Sequence, residues 1–290
     1  MARERPFQNC KYGELPIHIA CFGSCSLQRI QKLLRLNPKS IRVPTETSWL
    51  PLHAVVASGH SFETIKFLYE EYPDAIRMRS RGGYLPFHSA VANGHSFETI
   101  KFLYEEYPDA IRVPVLSKQG GFPIHILSLS EWSKDPIIQF LVKADPAALK
   151  EKEPEKGNLP IHLALKGHTS YETIQLMTDL YENSLKIGNG EGDLPLYVAL
   201  NNGHCAKTVE WLVQKTPHSC VKQLRLVLCL FPNRINNDIN FSILCLLARD
   251  FPFLAENDLG RYGELGLLLH IVCRNVASES PSSQWKDALQ

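Results

Sequence analysis

The chain has 290 residues, of which 44% are hydrophobic and 21% charged, a composition typical of a globular protein and unlike that of a disordered or membrane protein. Its formal net charge of +1 gives no bulk electrostatic reason to bind nucleic acid or an anionic membrane. The N-terminal residues lack the apolar segment of a signal or transit peptide, and the longest apolar runs are too short to span a bilayer.

A repeated segment dominates the sequence. Residues 59–77 and 94–112 have the same nineteen letters, GHSFETIKFLYEEYPDAIR, at an offset of 35. A fixed offset of roughly 20–50 residues is the signature of a repeat architecture, in which each repeat stacks on its neighbours. Each repeat also begins with a short proline-containing motif. The motifs are at 13–21, 48–56, 83–91, 120–128, 157–165, 192–200 and, in degraded form, 265–273.

Each motif predicts a first helix of about two turns, because proline suits the first helical position. A glycine is expected to end this helix in most repeats, at Gly23, Gly59, Gly94, Gly167 and Gly203. Apolar residues at three- and four-residue spacing then predict a longer second helix, which in the duplicated segment begins after Ser61 and ends at Pro73. Equivalent helices are predicted over 27–36, 136–142, 171–181, 207–213 and 241–249.

The roughly ten residues between a second helix and the next motif are rich in glycine and polar residues, which is typical of hairpin-like turns. A turn and two helices in about 33 residues, with the signature T-P-L-H-x-A, define the ankyrin repeat. The L-P-L/I/F-H-x-A motifs resemble that signature over residues 13–258. The resemblance implies an all-α solenoid of stacked helix–turn–helix repeats with hairpin-like turns. We predict a lead-in over 1–12, about seven repeats over 13–258 with a degenerate one at 223–258, and a partial terminal repeat and C-terminal cap over 259–290.

The motif histidines depart from the family pattern in their surroundings. In the family, a threonine usually precedes the proline and its hydroxyl bonds the histidine. Here that position holds Leu15, Leu50, Leu85, Phe122, Leu159 and Leu194, so the histidines need another partner. The histidines are His18, His53, His88, His125, His162 and His270, with Tyr197 in the sixth repeat. Stacked helices lie about 10 Å apart, too far for histidines of different repeats to share a metal, so we interpret them as structural hydrogen-bonding residues.

A metal site in the first repeat is a weaker alternative. Cys10, His18, Cys21 and Cys25 are zinc-type ligands at short spacing, but two of them belong to the repeat motif. The glycine-rich run 188–193 lacks the lysine and hydroxyl residue of a P-loop, and 150–156 is a run of mixed charge, so both are expected to be solvent-exposed turn tips. We expect no cofactor.

The eight cysteines form no disulfide framework, which favours reduced thiols in an intracellular, cytoplasmic protein, with the nucleus as an alternative location. No nucleophile elbow or metalloprotease motif is present in the sequence, so we predict a non-catalytic interaction module. The expected partner is a protein of unknown identity rather than nucleic acid or membrane, and the chain by itself is expected to be monomeric. The alternative is a regulatory or targeting subunit that docks a catalytic partner in trans.

The resemblance implies that hairpin tips and first helices form a concave face that binds the partner. The candidate residues on that face are Trp49, Arg77, Arg79, Arg81, Tyr84, Ser89, Asn93, Asn158, Asp193, Asn201 and Asn202. Trp49 and Tyr84 are either interface anchors or packing residues of neighbouring hairpins. The three arginines alternate along the chain, which would place three guanidinium groups on one face to meet an acidic peptide or phosphate. Their simpler interpretation is a solvated basic tip.

Overall fold

The computed structural model describes residues 13–115, 121–128, 135–167 and 169–216. These residues contain twelve α-helices, which are α1 Pro16–Phe22, α2 Leu27–Leu36, α3 Pro51–Ala57, α4 Phe62–Glu71, α5 Pro86–Ala92, α6 Phe97–Glu106, α7 Pro123–Ser128, α8 Asp135–Ala144, α9 Pro160–Lys166, α10 Tyr171–Leu180, α11 Pro195–Asn201 and α12 Ala206–Lys215. The predicted lead-in, the degenerate repeat, the helix over 241–249 and the C-terminal cap lie outside the described residues.

The described residues belong to two compact units. One extends to Ser184 and includes Asn189–Glu191, and the other comprises Leu185–Gly188 and the residues from Gly192. In the first unit, α1, α3, α5, α7 and α9 pack against one another in sequence, and α6, α8 and α10 form a second row. In the second unit, α11 packs against α12. The described secondary structure is helical apart from turns and one isolated bridge between Val115 and Gly121, so the predicted all-α repeat fold is confirmed.

The first helices form as the motif predicts. In α3, Leu50 is the N-cap residue with extended backbone, Pro51 occupies the first helical position, and every residue from Pro51 to Val56 is buried. Gly59 follows with φ of +72°, a conformation that glycine adopts without steric cost. The glycine that ends α1 is different, because Gly23 has φ of −88°. Gly23 is therefore the C-cap residue of α1, whereas Gly59 follows the C-cap residue Ser58 of α3 and alone of the two has a left-handed conformation.

The second helices bury one aliphatic face. α2 has the predicted bounds, and α8 and α12 extend a few residues beyond the prediction. The fourth residue of each helix is a branched aliphatic residue that is almost completely buried: Ile30, Ile65, Ile100, Ile138, Ile174 and Val209. Complete burial of one such side chain stabilises the fold by about 1.5–3 kcal/mol. These side chains therefore contribute to the apolar core of their repeats.

The prolines after the second helices do not simply end them. They begin short 3-10 helices, at Pro38–Arg42, Pro73–Arg77, Pro108–Arg112 and Pro146–Lys150, and a fifth covers Glu182–Lys186. Proline fits the first position of such a helix because its fixed φ is helical and its missing N–H has no partner there. The prediction of a non-helical segment is wrong for these five-residue elements, which are too short to show a periodic pattern.

Candidate partner-binding surface

The motif histidines fix the start of the first helices α1, α3, α5, α7 and α9. The N–H of Leu50 donates to Nδ1 of His53 at 3.3 Å, and the N–H of Leu85 donates to Nδ1 of His88 at 3.0 Å. The histidine thus accepts the free N–H of the N-cap residue, as the third residue of a capping box does, although leucine cannot supply the reciprocal side-chain acceptor. The histidine is therefore bonded to the backbone N–H of the leucine that precedes the proline, and not to the threonine hydroxyl that is usual in the family.

The other ring nitrogen of His53 and of His88 secures the following hairpin. Because Nδ1 accepts a hydrogen bond, the ring proton is on Nε2. Nε2 of His53 donates to the carbonyl oxygen of Met78 at 2.9 Å, and Nε2 of His88 donates to that of Val113 at 2.7 Å. Burial lowers the pKa of both histidines to about 4, against an opposing effect of these backbone hydrogen bonds. The rings are therefore neutral near pH 7, with both nitrogens engaged.

A second set of histidines joins neighbouring repeats and was missed by the sequence analysis. Nε2 of His60 lies 2.8 Å from the carbonyl oxygen of Gly23, and Nε2 of His95 lies 2.6 Å from that of Val56, in each case in the preceding repeat. The available signal was the Gly-His dipeptide, which recurs after the first helix at residues 59, 94, 167 and 203.

Three of the proposed metal ligands of the first repeat, His18, Cys21 and Cys25, lie in the described part of the chain and are not grouped as a metal site. Among the described residues, no group of three or more His, Cys, Asp or Glu side chains is placed to hold a metal ion. His18 accepts the N–H of Leu15 at 3.0 Å, and burial, with a smaller effect of Cys25, raises the pKa of the Cys21 thiol to about 12. Cys21 is therefore a neutral core thiol. Cys10 lies outside the described residues.

Trp49 combines packing with partial exposure. Its ring centroid lies 5.6 Å from that of Phe22 at the end of α1 and 6.0 Å from that of His53, and the residue is half-buried. Tyr84 occupies the equivalent place in the next repeat, 6.3 Å from His88 and also half-buried. Both residues therefore pack against the motif histidine and still offer part of a ring to solvent.

The three arginines lie in different local structures. Arg77 is the last residue of a 3-10 helix, so strand alternation does not apply to it, and its guanidinium carbon lies 5.2 Å from the ring centroid of Tyr107. This is a cation–π contact with the next repeat. Arg79 and Arg81 do lie in the hairpin and are exposed, and the charge of Arg79 contributes to lowering the His88 pKa. Partner binding by Arg77, Arg79 and Arg81 stays a prediction.

Some candidates are interior residues. Ser89 is 4% exposed and Asn158 is 2% exposed, so neither side chain is available to a partner. Asn93 is exposed, although its side-chain amide donates to the carbonyl oxygen of Ser89 at 2.8 Å. In the second compact unit, Asn201 is exposed, whereas Asp193 and Asn202 are half-buried.

The charged run over 150–156 is not simply a solvated tip. Glu153 is buried, and its carboxylate accepts the N–H groups of Glu155 at 2.6 Å, Lys156 at 2.9 Å and Asn158 at 3.1 Å, together with the Asn158 amide at 2.7 Å. Burial raises the pKa of Glu153, but these hydrogen bonds outweigh burial and hold the pKa below its usual value. The glycine-rich run is anchored here as well, because the Asn189 amide donates to the Asn158 oxygen at 3.2 Å.

Comparison with known families identifies the repeats. Residues 17–113 match the model for ankyrin repeats, in three copies. Residues 17–113 are ankyrin repeats. Among curated proteins, no sequence matches the chain significantly.

Solved structures with a similar fold include ankyrin repeat proteins. One chain in the structure of the Bd0816 predatory endopeptidase from Bdellovibrio bacteriovorus in complex with immunity protein Bd3460 aligns at a TM-score of 0.57 and 16% identity, covering 70% of this chain and 99% of that chain. The ankyrin repeat domain of Bcl-3, a unique member of the IkappaB protein family, aligns at a TM-score of 0.54 and 19% identity, covering 70% of this chain and 86% of that chain. At these identities the likeness concerns the fold alone.

The N-terminal ankyrin repeats expose apolar side chains on first helices and hairpins. Ile19 is 43% and Phe22 39% exposed on α1, while Val43 is 40% and Met78 48% exposed where the hairpins begin. None of these four residues is among the sequence-based candidates, because a motif alignment does not reveal which apolar residues stay uncovered. Of the helices in the described ranges, none is both long and apolar enough to cross a lipid bilayer.

Proposed function

We propose that the chain is a non-catalytic interaction module that binds a partner protein through the first helices and hairpins of its N-terminal ankyrin repeats. The observation that carries this proposal is the group of exposed apolar residues Ile19, Phe22, Val43 and Met78, with the half-buried Trp49 beside Phe22. Exposed apolar patches mark interaction surfaces, and large aromatic residues are frequent interface anchors. We refer to these five residues as the apolar surface.

The apolar surface is built on preformed structure. Trp49 is held by ring contacts to two neighbours, and the N–H of Arg81 donates to the carbonyl oxygen of Thr47 at 2.9 Å, which ties the second hairpin to the first. A rigid surface loses little conformational entropy when a partner binds. The exposed Arg79 and Arg81 add positive charge beside it and favour a partner with carboxylates nearby.

The histidines and cysteines support the same proposal. His53 and His88 are buried with both ring nitrogens hydrogen-bonded, which leaves neither imidazole available as a general base. Cys21, Cys25 and Cys205 are free thiols, which fits the proposed intracellular setting. Docking of a catalytic partner in trans stays a prediction of the sequence, since the apolar surface would suit an enzyme as well as any other protein.

The test is affinity capture with matched variants of the full chain. The surface variant carries Ile19→Asp and Met78→Asp, two exposed positions where the substitution leaves the core intact. The control carries Leu180→Asp, an equally apolar residue that is 38% exposed at the end of α10. We expect a protein that is held by the wild type and the control, and released by the surface variant, while all three melt at similar temperatures. Equal retention by the surface variant would place binding elsewhere on the chain.

A further inference from the structure

Helix α2 and the 3-10 helix after it carry an isolated positive charge. Residues 15–45 contain no Asp or Glu, but they contain five cationic side chains, all exposed: Arg29, Lys32, Arg35, Lys39 and Arg42. The duplicated segment 59–77 has the opposite balance, with two Lys or Arg against four Asp or Glu. The first repeat therefore has an electrostatic character that its neighbour lacks.

These cations have no acidic partners within the described part of the chain. Arg29, Lys32, Arg35 and Lys39 form no ion pair there, and Arg42 stacks at 5.2 Å on the ring of Tyr72. In α4 and α6, by contrast, lysines pair with glutamates one helical turn away, over 4.0 Å and 3.6 Å. The charge of α2 is therefore uncompensated and available to an external anion.

A groove with a mixed apolar and polar lining lies beside this charge. It has a volume of about 250 Å³ between α2 and α4 and is lined by Gln31, Leu34, Arg35, Pro38, Phe67 and Glu71. Three of these residues supply an apolar lining, and charged groups stand at the rim. The groove has room for one large apolar side chain.

The groove exists because α2 lacks the aromatic residues of the later repeats. In the next pair of second helices, Phe102 lies 5.4 Å from Phe62 and 5.3 Å from Tyr69, which cover it edge-on. Phe67 is the equivalent of Phe102, but the corresponding positions of α2 are leucines. Aromatic side chains thus cover the contact between α4 and α6, whereas a groove remains between α2 and α4. Leu36, at the end of α2, is also 75% exposed.

We propose that α2 and this groove bind an acidic peptide segment that carries one large apolar side chain. The apolar side chain enters the groove against Phe67 and Leu34, and flanking carboxylates pair with Arg29, Lys32 and Arg35. Charge-assisted hydrogen bonds between guanidinium and carboxylate groups have the geometry to orient such a segment. This acidic-peptide site lies on second helices, so it is distinct from the apolar surface and goes beyond the proposed function.

The surroundings favour a peptide over a polyanion. α2 has ten residues and is about 15 Å long, which limits the number of phosphates that it could contact. On the neighbouring α4, Glu63, Glu70 and Glu71 are exposed, and Glu71 reaches the rim of the groove. A continuous phosphate backbone or an anionic membrane would meet these carboxylates, whereas a short peptide can place its acidic residues over α2 alone.

The experiment measures binding of fluorescent peptides to the full chain by anisotropy. The probe peptides have acidic residues that flank one central leucine, phenylalanine or tryptophan, and the matched peptides have alanine at the centre. Phosphatidylserine vesicles and a DNA oligonucleotide are the competing probes. The site variant carries Arg29→Glu, Lys32→Glu and Arg35→Glu. The control carries Lys101→Glu, Lys143→Glu and Lys156→Glu, which changes the net charge equally at other exposed positions.

We expect the acidic peptide with an apolar centre to bind the wild type and the control alike, and to bind the site variant at least about tenfold more weakly. The alanine peptide should also bind the wild type several-fold more weakly, because the groove stays empty. Equal binding to the site variant, equal binding of the alanine peptide, or no peptide binding would each overturn the proposal. Tighter binding of the vesicles or the oligonucleotide, lost in the site variant, would overturn it in favour of a polyanion site.

Discussion

Nε2 of His53 lies 2.9 Å from the carbonyl oxygen of Met78, a residue 25 positions later in the chain. The other ring nitrogen of His53 accepts the N–H of Leu50 at the start of α3. One neutral imidazole thus connects the beginning of a first helix to the beginning of the following hairpin. The same arrangement recurs at His88, so the repeat depends on histidines that carry no charge.

This arrangement predicts an acid-sensitive fold. The pKa of His53 and His88 is lowered from 6.5 to about 4 in the folded chain, so between these values the unfolded chain binds more protons. The free energy of unfolding is therefore expected to fall as pH drops from 6.5 towards 4, by about 1 kcal/mol per pH unit for each histidine. Urea unfolding across this range measures the slope. The variant His53→Gln, which does not titrate, should show a shallower slope, and an unchanged slope would contradict the assignment.

Ser48 is expected to be a destabilising residue. It has φ of +61° at the position of the hairpin where the next repeat has Gly83, at φ of +82°. Because a residue with a Cβ loses about 1 kcal/mol in the left-handed region, Ser48→Gly should raise the free energy of unfolding by about that amount. The matched exchange Gly83→Ser should lower it by a similar amount. Thermal denaturation of both variants checks the prediction, which requires opposite signs.

Glu153 is expected to hold its hairpin together. Glu153→Ala removes the acceptor of three backbone N–H groups and one amide, so we expect a loss of about 1–3 kcal/mol in the free energy of unfolding. Glu153→Gln keeps one oxygen and should lose less. Since the folded pKa is lowered, the contribution of Glu153 is present above pH 4.5 and is lost as pH falls further. A neutral effect of Glu153→Ala would contradict the burial of this carboxylate.

Arg77 and Arg79 are expected to differ in role. Arg77→Ala removes the cation–π contact with Tyr107 and should lower the free energy of unfolding by about 0.5–1 kcal/mol without weakening partner binding. Arg79→Ala should leave stability within about 0.5 kcal/mol of the wild type and weaken binding of a partner to the apolar surface. Chemical denaturation and quantitative capture separate the two effects. Weaker partner binding by Arg77→Ala, together with unchanged binding by Arg79→Ala, would contradict this assignment and identify Arg77 as the contact residue.

Cys205 should react faster than Cys21 with a thiol reagent. Cys205 is exposed before α12, and the hydrogen bond from Thr208 lowers its pKa, despite the opposing effect of burial. Cys21 is buried, and its pKa is raised to about 12. Brief treatment with iodoacetamide followed by peptide mapping should therefore modify Cys205 first. Modification of Cys21 should require denaturant, and rapid labelling of both residues would contradict this placement.

The sequence predicted the elements whose letters recur. Proline marks every described first helix, and histidine marks all of them except α11, which has Tyr197. The spacing of Ile65 and Leu68 marks a second helix, because burial imposes helical periodicity on apolar residues. The 3-10 helices escaped prediction because five residues are too few to reveal a period. An alignment of the repeats identifies equivalent residues in each repeat, but it does not show which of their side chains are buried and which are exposed. For this reason the buried Ser89 was included in the candidate surface and the exposed Met78 was omitted.

The duplicated segment shows that identical letters can have different surroundings. Phe67 and Phe102 occupy the same place in two identical helices, yet one lines an open groove and the other is covered by two rings of the preceding repeat. What each copy contributes is therefore decided by the repeat before it. Duplication or deletion of a whole repeat in the gene would change which repeat precedes a given copy. Such an event would therefore create or remove a groove of this kind in one step, without any amino-acid substitution.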